Sequence, residues 1–189
     1  MKKKSKIKVK IKLKNALLFS SVIFSVVLAI RFLPTIYRFF TPITSINYHG
    51  HLLLFRSDLK KAKKIPVYPN SEAVREVMMQ PTIKKITIFF QDTKDNSLTA
   101  VESYEITYIL KTVYLVNGFS VDFSGELVDD FQNIKSSEEN PGIVLIPPSL
   151  ANETFVRIEG YKVIISGKDA KEFDLATDKF LMDVIGIKV

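Results

Sequence analysis

The sequence predicts an α/β fold, with α+β possible: one small mixed-sheet domain with about three helices, behind an N-terminal transmembrane helix. Three observations predict it. Eight lysines and no acid fall within Met1–Lys14, and the uncharged apolar run Ala16–Ile30 follows at once. Further on, strand signals alternate with helix signals. Phe119–Leu127 alternates with period two, and Ile143-Val144-Leu145-Ile146 is a continuous apolar run between prolines. Finally, Asp169 to Gly186 carries the start, stripe and stop of a helix docked on a sheet.

The membrane segment is read from length and charge. Asn15–Leu33 spans 19 residues, with Arg31 its only charge. At ~1.5 Å per residue such a helix reaches ~28 Å, close to the ~30 Å hydrocarbon layer. Its apolar residues are Ala16, Leu17, Leu18, Phe19, Val22, Ile23, Phe24, Val26, Val27, Leu28 and Ile30. Arg31 lies near the outer end, where its stem can reach the headgroups, and Phe32, Tyr37, Phe39 and Phe40 suit an aromatic belt. Pro34 and Pro42 discourage further helix. The lysines hold the N-terminus on the cytoplasmic side and place the remainder outside the cell membrane. A cleaved signal peptide would share the basic leader and apolar centre. However, Leu28-Ala29-Ile30-Arg31-Phe32 lacks a small-x-small cleavage pattern, so an uncleaved anchor is expected. The expected organisation is a leader over 1–14, anchor and interfacial segment over 15–40, linker over 41–45 and extracytoplasmic domain over 46–189.

Charge narrows the partners. The net charge is +7, but 8 of the 27 basic residues lie in the leader, leaving 19 against 20 acids beyond Lys14. A nucleic-acid surface is therefore not expected. The bilayer is the first partner: each leader lysine near an anionic leaflet contributes ~1 kcal/mol. Alternation from Lys6 to Lys14 would also suit an amphipathic strip on the membrane, although like charges at this density favour an unstructured leader. The chain has no cysteine, which excludes disulfide and thiolate chemistry.

The domain reads as follows. Ile46–Arg56 has a β pattern broken by His49-Gly50-His51, a hairpin or bulge at Gly50. Asp58–Lys64 is a charged turn, and Ile65-Pro66-Val67-Tyr68-Pro69 must be extended. Asn70 or Ser71 caps a helix with Val74, Val77 and Met78 on one face, ended by Pro81. Ile83–Gln91 is a strand. Ser97 to about Val116 has helical spacing, with a strand from Thr112 as the alternative because that half is rich in β-branched and aromatic residues. Phe119–Leu127 is a half-exposed strand, Asp129–Asn140 a surface loop, Ile143–Ile146 a strand buried on both faces, and Phe155–Ser166 a hairpin around Glu159-Gly160. In the last helix Asp169 and Glu172 form a capping box, and Phe173, Ala176, Phe180, Leu181 and Val184 the buried stripe.

Few residues promise chemistry. His49-x-His51 would set two imidazoles on one strand face, half of a zinc site, but there are no other histidines to complete it. Asp174, Asp178 and Asp183, flanked by Lys171 and Lys179, oppose the apolar stripe and read as a solvated helix face. Glu102 and Glu105 sit in a mostly apolar helix and are read as its outer face. Asn152-Glu153-Thr154 is a glycosylation sequon, with Asn152 the acceptor. No phosphate loop, nucleophile elbow or zinc-protease motif occurs, so no cofactor is expected and no reaction is assigned.

Gly142 to Pro148, Asn152-Glu153-Thr154 and Val163 to Lys168 before the final helix resemble a strand–turn–Asn–strand–Gly–helix arrangement in archaeal S-layer and envelope proteins. The whole chain is similar to small membrane-anchored archaeal proteins. The chain departs from the S-layer pattern where Pro147-Pro148 replaces a glycine pair, and no functional residue is carried over. The resemblance implies an envelope role and no reaction. The expectation is a single-pass envelope protein whose outer domain binds or scaffolds a protein partner. Alternatives are an accessory subunit, for which Ser20, Ser21, Ser25 and Ala29 offer small residues in the anchor, and a membrane-tethered enzyme of unrecognised class.

Overall fold

A computed structural model describes residues 44–187. The leader, the anchor segment over 15–40 and the first residues of the linker lie outside the described residues. Among the described residues no helix is long and apolar enough to cross a membrane.

The chain begins with a separate two-stranded antiparallel sheet, β1 (Thr44–Tyr48) and β2 (His51–Phe55). Its turn residues His49 and Gly50 take φ of 49° and 87°. Two left-handed residues in a two-residue loop match the right-handed strand twist. Leu53 and Phe55 are fully buried on one face of β2. Asp58–Lys64, read as a turn, contains a short helix, α1 (Leu59–Ala62), because the Asp58 side chain accepts from the Lys60 amide. With α2 (Ser71–Met78), α3 (Asn96–Val116) and α4 (Ala170–Ile185) the described residues hold four helices rather than about three.

The main sheet has six strands in the order β3-β7-β8-β6-β4-β5, where β3 is Val67–Tyr68, β4 Lys85–Phe90, β5 Asp122–Leu127, β6 Gly142–Ile146, β7 Phe155–Glu159 and β8 Lys162–Ser166. β5, β4, β6 and β8 run parallel, and β7 is antiparallel to β8. The fold is therefore mixed α/β. The central strand β6 is buried, as a strand packed on both faces requires. The β7–β8 hairpin turns at Gly160, and β5 lies at an edge; it starts only at Asp122 rather than Phe119, and Leu127, expected on its inner face, is exposed because no strand covers that edge.

Ile86 and Ile88, Ile143 and Leu145, and Val163 and Ile165 point to one sheet face and join a single core with the helices. The alternating residues Thr87 and Phe89 face the other side, where they line a cleft with Asp129, Asn133 and Asn140 of the β5–β6 loop. α3 runs unbroken to Val116, because Ile109, Leu110 and Val113 are fully buried in that core and outweigh local β preference.

α4 starts and stops as its sequence dictates. The Asp169 carboxylate accepts from the Glu172 amide, Gly186 is left-handed, and the Ile187 amide donates to the Met182 carbonyl. Its entry is tight: a Cβ on Gly167 would lie 2.3 Å from the Phe173 Cα and 2.4 Å from its amide nitrogen. Neither backbone atom can move without shifting the helix. Gly167→Ala is expected to destabilise the domain at the upper end of the ~1–3 kcal/mol typical of overpacking. Urea unfolding checks this; an unchanged midpoint would mean that α4 does not approach β8 this closely.

Candidate functional site

α4 is enclosed on more than one side. α1, α2 and α3 pack against it, along with β7 and β8, so that every residue from Leu175 to Ile185 is buried. This overturns the reading of its acids as a solvated face. Asp178 is fully buried and Asp183 nearly so; of the three, Asp174 keeps the most side-chain exposure, at 26 %. The reading of Glu102 and Glu105 as the outer face of α3 is overturned too, with exposures of 0 % and 4 %. The two helices bring four of these acids together where β2 ends.

Arg56 and Ser57, at the exit of β2, form the other half of the site. The Arg56 guanidinium lies 3.5 Å from Glu102 Oε1 through Nη1, 4.0 Å from Glu105 Oε2 through Nε and 3.8 Å from Asp174 Oδ1 through Nη2. Its amide donates to Glu105 Oε1 at 3.1 Å. The Ser57 amide donates to Asp178 Oδ2 at 2.8 Å, and the Ser57 hydroxyl donates to the same oxygen. Two carboxyl groups thus bind the backbone just after β2, where ladder pairing has stopped.

One guanidinium cannot balance three buried carboxylates and the partly exposed Asp174, so protons must. Burial pushes Glu102 well above the usual carboxylate range, and the neighbouring Asp174 carboxyl adds to this while Arg56 opposes it. Burial likewise raises Glu105, reinforced by Asp178 and Glu102. Burial pushes Asp178 up to about 6 against the pull of its Ser57 and Glu105 hydrogen bonds. Glu105 Oε2 and Asp178 Oδ1 are buried with no donor between the ionised forms, as is Glu102 Oε2. A proton on each glutamate would resolve this, with Glu105 as donor towards Asp178 and Glu102 towards Asp174. Two half-neutralised acid pairs then flank one arginine.

A second polar group lies farther along α4. Lys179 Nζ donates to Ser71 Oγ at 2.8 Å and to Asp183 Oδ1 at 2.5 Å. Burial raises Asp183, and Lys179 opposes the shift.

The remaining candidates are dispersed. His49 occupies the turn and His51 opens β2, both exposed, so they do not share a strand face as the spacing suggested. Among the described residues no group of three or more His, Asp or Glu side chains could hold a metal ion. Asn152 is exposed in the turn before β7, while the Thr154 hydroxyl donates to Glu172. Arg56 and Ser57 were missed by sequence reasoning. The one available signal was two acids, Glu102 and Glu105, in an otherwise apolar stretch.

Fold and site together define a mixed α/β domain braced by a buried arginine–carboxyl cluster. Comparison with known proteins finds no matching family model, no matching curated protein and no matching solved structure. The likeness to archaeal envelope proteins therefore rests on sequence pattern alone.

Proposed function

We propose that the chain is a single-pass, membrane-anchored envelope protein, N-terminus cytoplasmic, whose outer domain is a binding or scaffolding module. The observation that carries this reading is the lysine-only leader directly followed by an uncharged apolar run. The domain is compatible with a scaffold, since its convergent charges brace the fold: Arg56, Glu102, Glu105 and Asp178 contact one another or the backbone. A second reading, a membrane-tethered acid–base enzyme, draws on the raised pKa values of the same acids. It requires a substrate to reach carboxyls that the protein's own groups already engage.

Reporters fused to each end test the first reading. An externally active reporter should signal at the C-terminus and stay silent at Met1. The reverse pattern, or recovery of the native protein in the cytosol, overturns it. Crosslinking in native membranes should then recover one stoichiometric protein partner.

A further inference from the structure

The two edges of the main sheet differ. β3 contributes only two residues, set between Pro66 and Pro69, and short length and proline both blunt an edge. β5 contributes six residues with neither proline nor lysine, and among the described residues it pairs with β4 alone. The Asp122 amide donates to the Lys84 carbonyl and the Val128 amide to the Phe90 carbonyl, so the even-numbered residues bond inward. By the period of two, the amides and carbonyls of Phe123, Gly125 and Leu127 point away from the sheet. They form a template for one more strand.

The two faces beside this edge differ in chemistry. On the helix side Leu127, 60 % exposed, borders an apolar cleft of about 360 Å³ with Phe90, Thr99, Ala100 and Ser103. Asp92 and Asn96 also line that cleft, but they are bonded to each other. On the other side Asp122 and Glu126 project from β5, and the cleft next to Glu126 is lined by Asp129, Asp130, Lys85 and Lys135. Four acids thus stand against two lysines, with Lys85 beside Asp122 in register. Among the described residues the Glu126 and Asp129 side chains take part in no ion pair.

We propose that β5 accepts an extended segment of a protein partner in which basic and apolar residues alternate. Its backbone would continue the ladder, its apolar side chains would fall on Leu127 and the apolar cleft, and its lysines or arginines on Glu126, Asp129 and Asp122. A second copy of this chain fits worse. Antiparallel pairing about Ser124 would set each Asp122 opposite a Glu126, and like charges so placed are destabilising. The surface lies wholly within the described domain; that its occupant is a protein rests on the reading of that domain as a binding module.

Titration of a fluorescent peptide into the full chain in phosphatidylcholine nanodiscs tests this, with empty discs as the blank. The peptide alternates lysine and valine over about nine residues, enough to span an edge strand. Binding should saturate at one site. A peptide of the same composition with its valines in one block, and one with glutamate in place of lysine, should each bind about tenfold more weakly or worse. Of two versions N-methylated at alternate amides, one should bind and the other should not, because only one set of amides faces β5. Glu126→Lys should weaken the lysine peptide about fivefold at low ionic strength, as an exposed attraction becomes a repulsion, and added salt should shrink the loss. Its thermal midpoint should be unchanged, because Glu126 is exposed. The proposal is overturned if no peptide binds, if the block peptide binds equally well, if both methylated versions behave alike, or if Glu126→Lys leaves affinity intact. Dimers that exclude the peptide would assign the edge to a second copy and overturn it too. Lys6–Lys14 of this chain alternates in the same way. Binding that appears only after residues 1–14 are removed would give the edge to that leader, overturning both this proposal and the anchored topology. Failure with both chains overturns this proposal alone.

Discussion

Replacing Arg56 with methionine should lower the unfolding free energy by about 3 kcal/mol at neutral pH, within the ~3–5 kcal/mol lost when one partner of a buried ion pair is removed. Among the described residues the guanidinium is the one cation paired with Glu102, Glu105 and Asp174, and its side chain is 18 % exposed while Glu102 is completely buried. Methionine fills similar volume, so the loss is electrical rather than a cavity. The carboxyls can answer by taking up protons, which makes the penalty smaller in acid and larger in base. Chemical denaturation of wild type and variant at several pH values measures this. Adding Glu102→Gln to the variant should restore part of the stability, since it removes one of the uncompensated groups. An Arg56→Met protein as stable as wild type would show that the cluster does not depend on its cation.

Stability should fall as pH rises from about 4 to about 6, the reverse of ordinary acid denaturation. Asp178 has a folded value of about 6 against an ordinary 3.8. Within that window the folded protein holds more protons than the unfolded chain, so raising the pH favours unfolding. The stabilisation is complete below about 4 and is lost as the pH passes through about 6. Asp178 alone accounts for about 3 kcal/mol at ~1.4 kcal/mol per pH unit. Glu102 and Glu105 are shifted in the same direction, so the decline should continue above that window. Urea unfolding across this range should show the slope, and Glu105→Gln, which keeps a donor towards Asp178 without a titrating proton of its own, should leave that slope and reduce the further decline above it. Stability that rises with pH in wild type would refute the shared-proton arrangement.

Local signals were legible and the site was not. The β1–β2 turn, the buried run of β6, the β7–β8 hairpin and both ends of α4 follow from short-range chemistry: turn glycines, continuous hydrophobicity, an aspartate N-cap and a C-terminal glycine, although the Glu172 side chain turns to Thr154 and Lys168 instead of completing a capping box. The helix α1 was missed because four lysines in Asp58–Lys64 suggested a solvated turn, whereas Leu59 and Ala62 are buried beneath it. The acids were misplaced for another reason. A stripe pattern identifies one buried face and leaves the opposite one to solvent by default. α4 is covered on that side as well, and its polar residues survive burial because partners come from elsewhere. Those partners are remote: Arg56 meets Glu102 across 46 positions, and Ser57 meets Asp178 across 121. No local period encodes such a meeting.

The hairpin shares no ladder with the main sheet, and Thr44 pairs with Phe55 at the end where the chain both enters and leaves it. Tension applied to residues before Thr44 would therefore peel β1 from β2 one rung at a time, a weak geometry compared with shearing parallel strands. Next to that first rung stand the Thr44 hydroxyl bond to the Ser57 carbonyl and the Arg56 and Ser57 clamp. The six-stranded body is thus insulated from pulling by a sacrificial link whose strength varies with acidity.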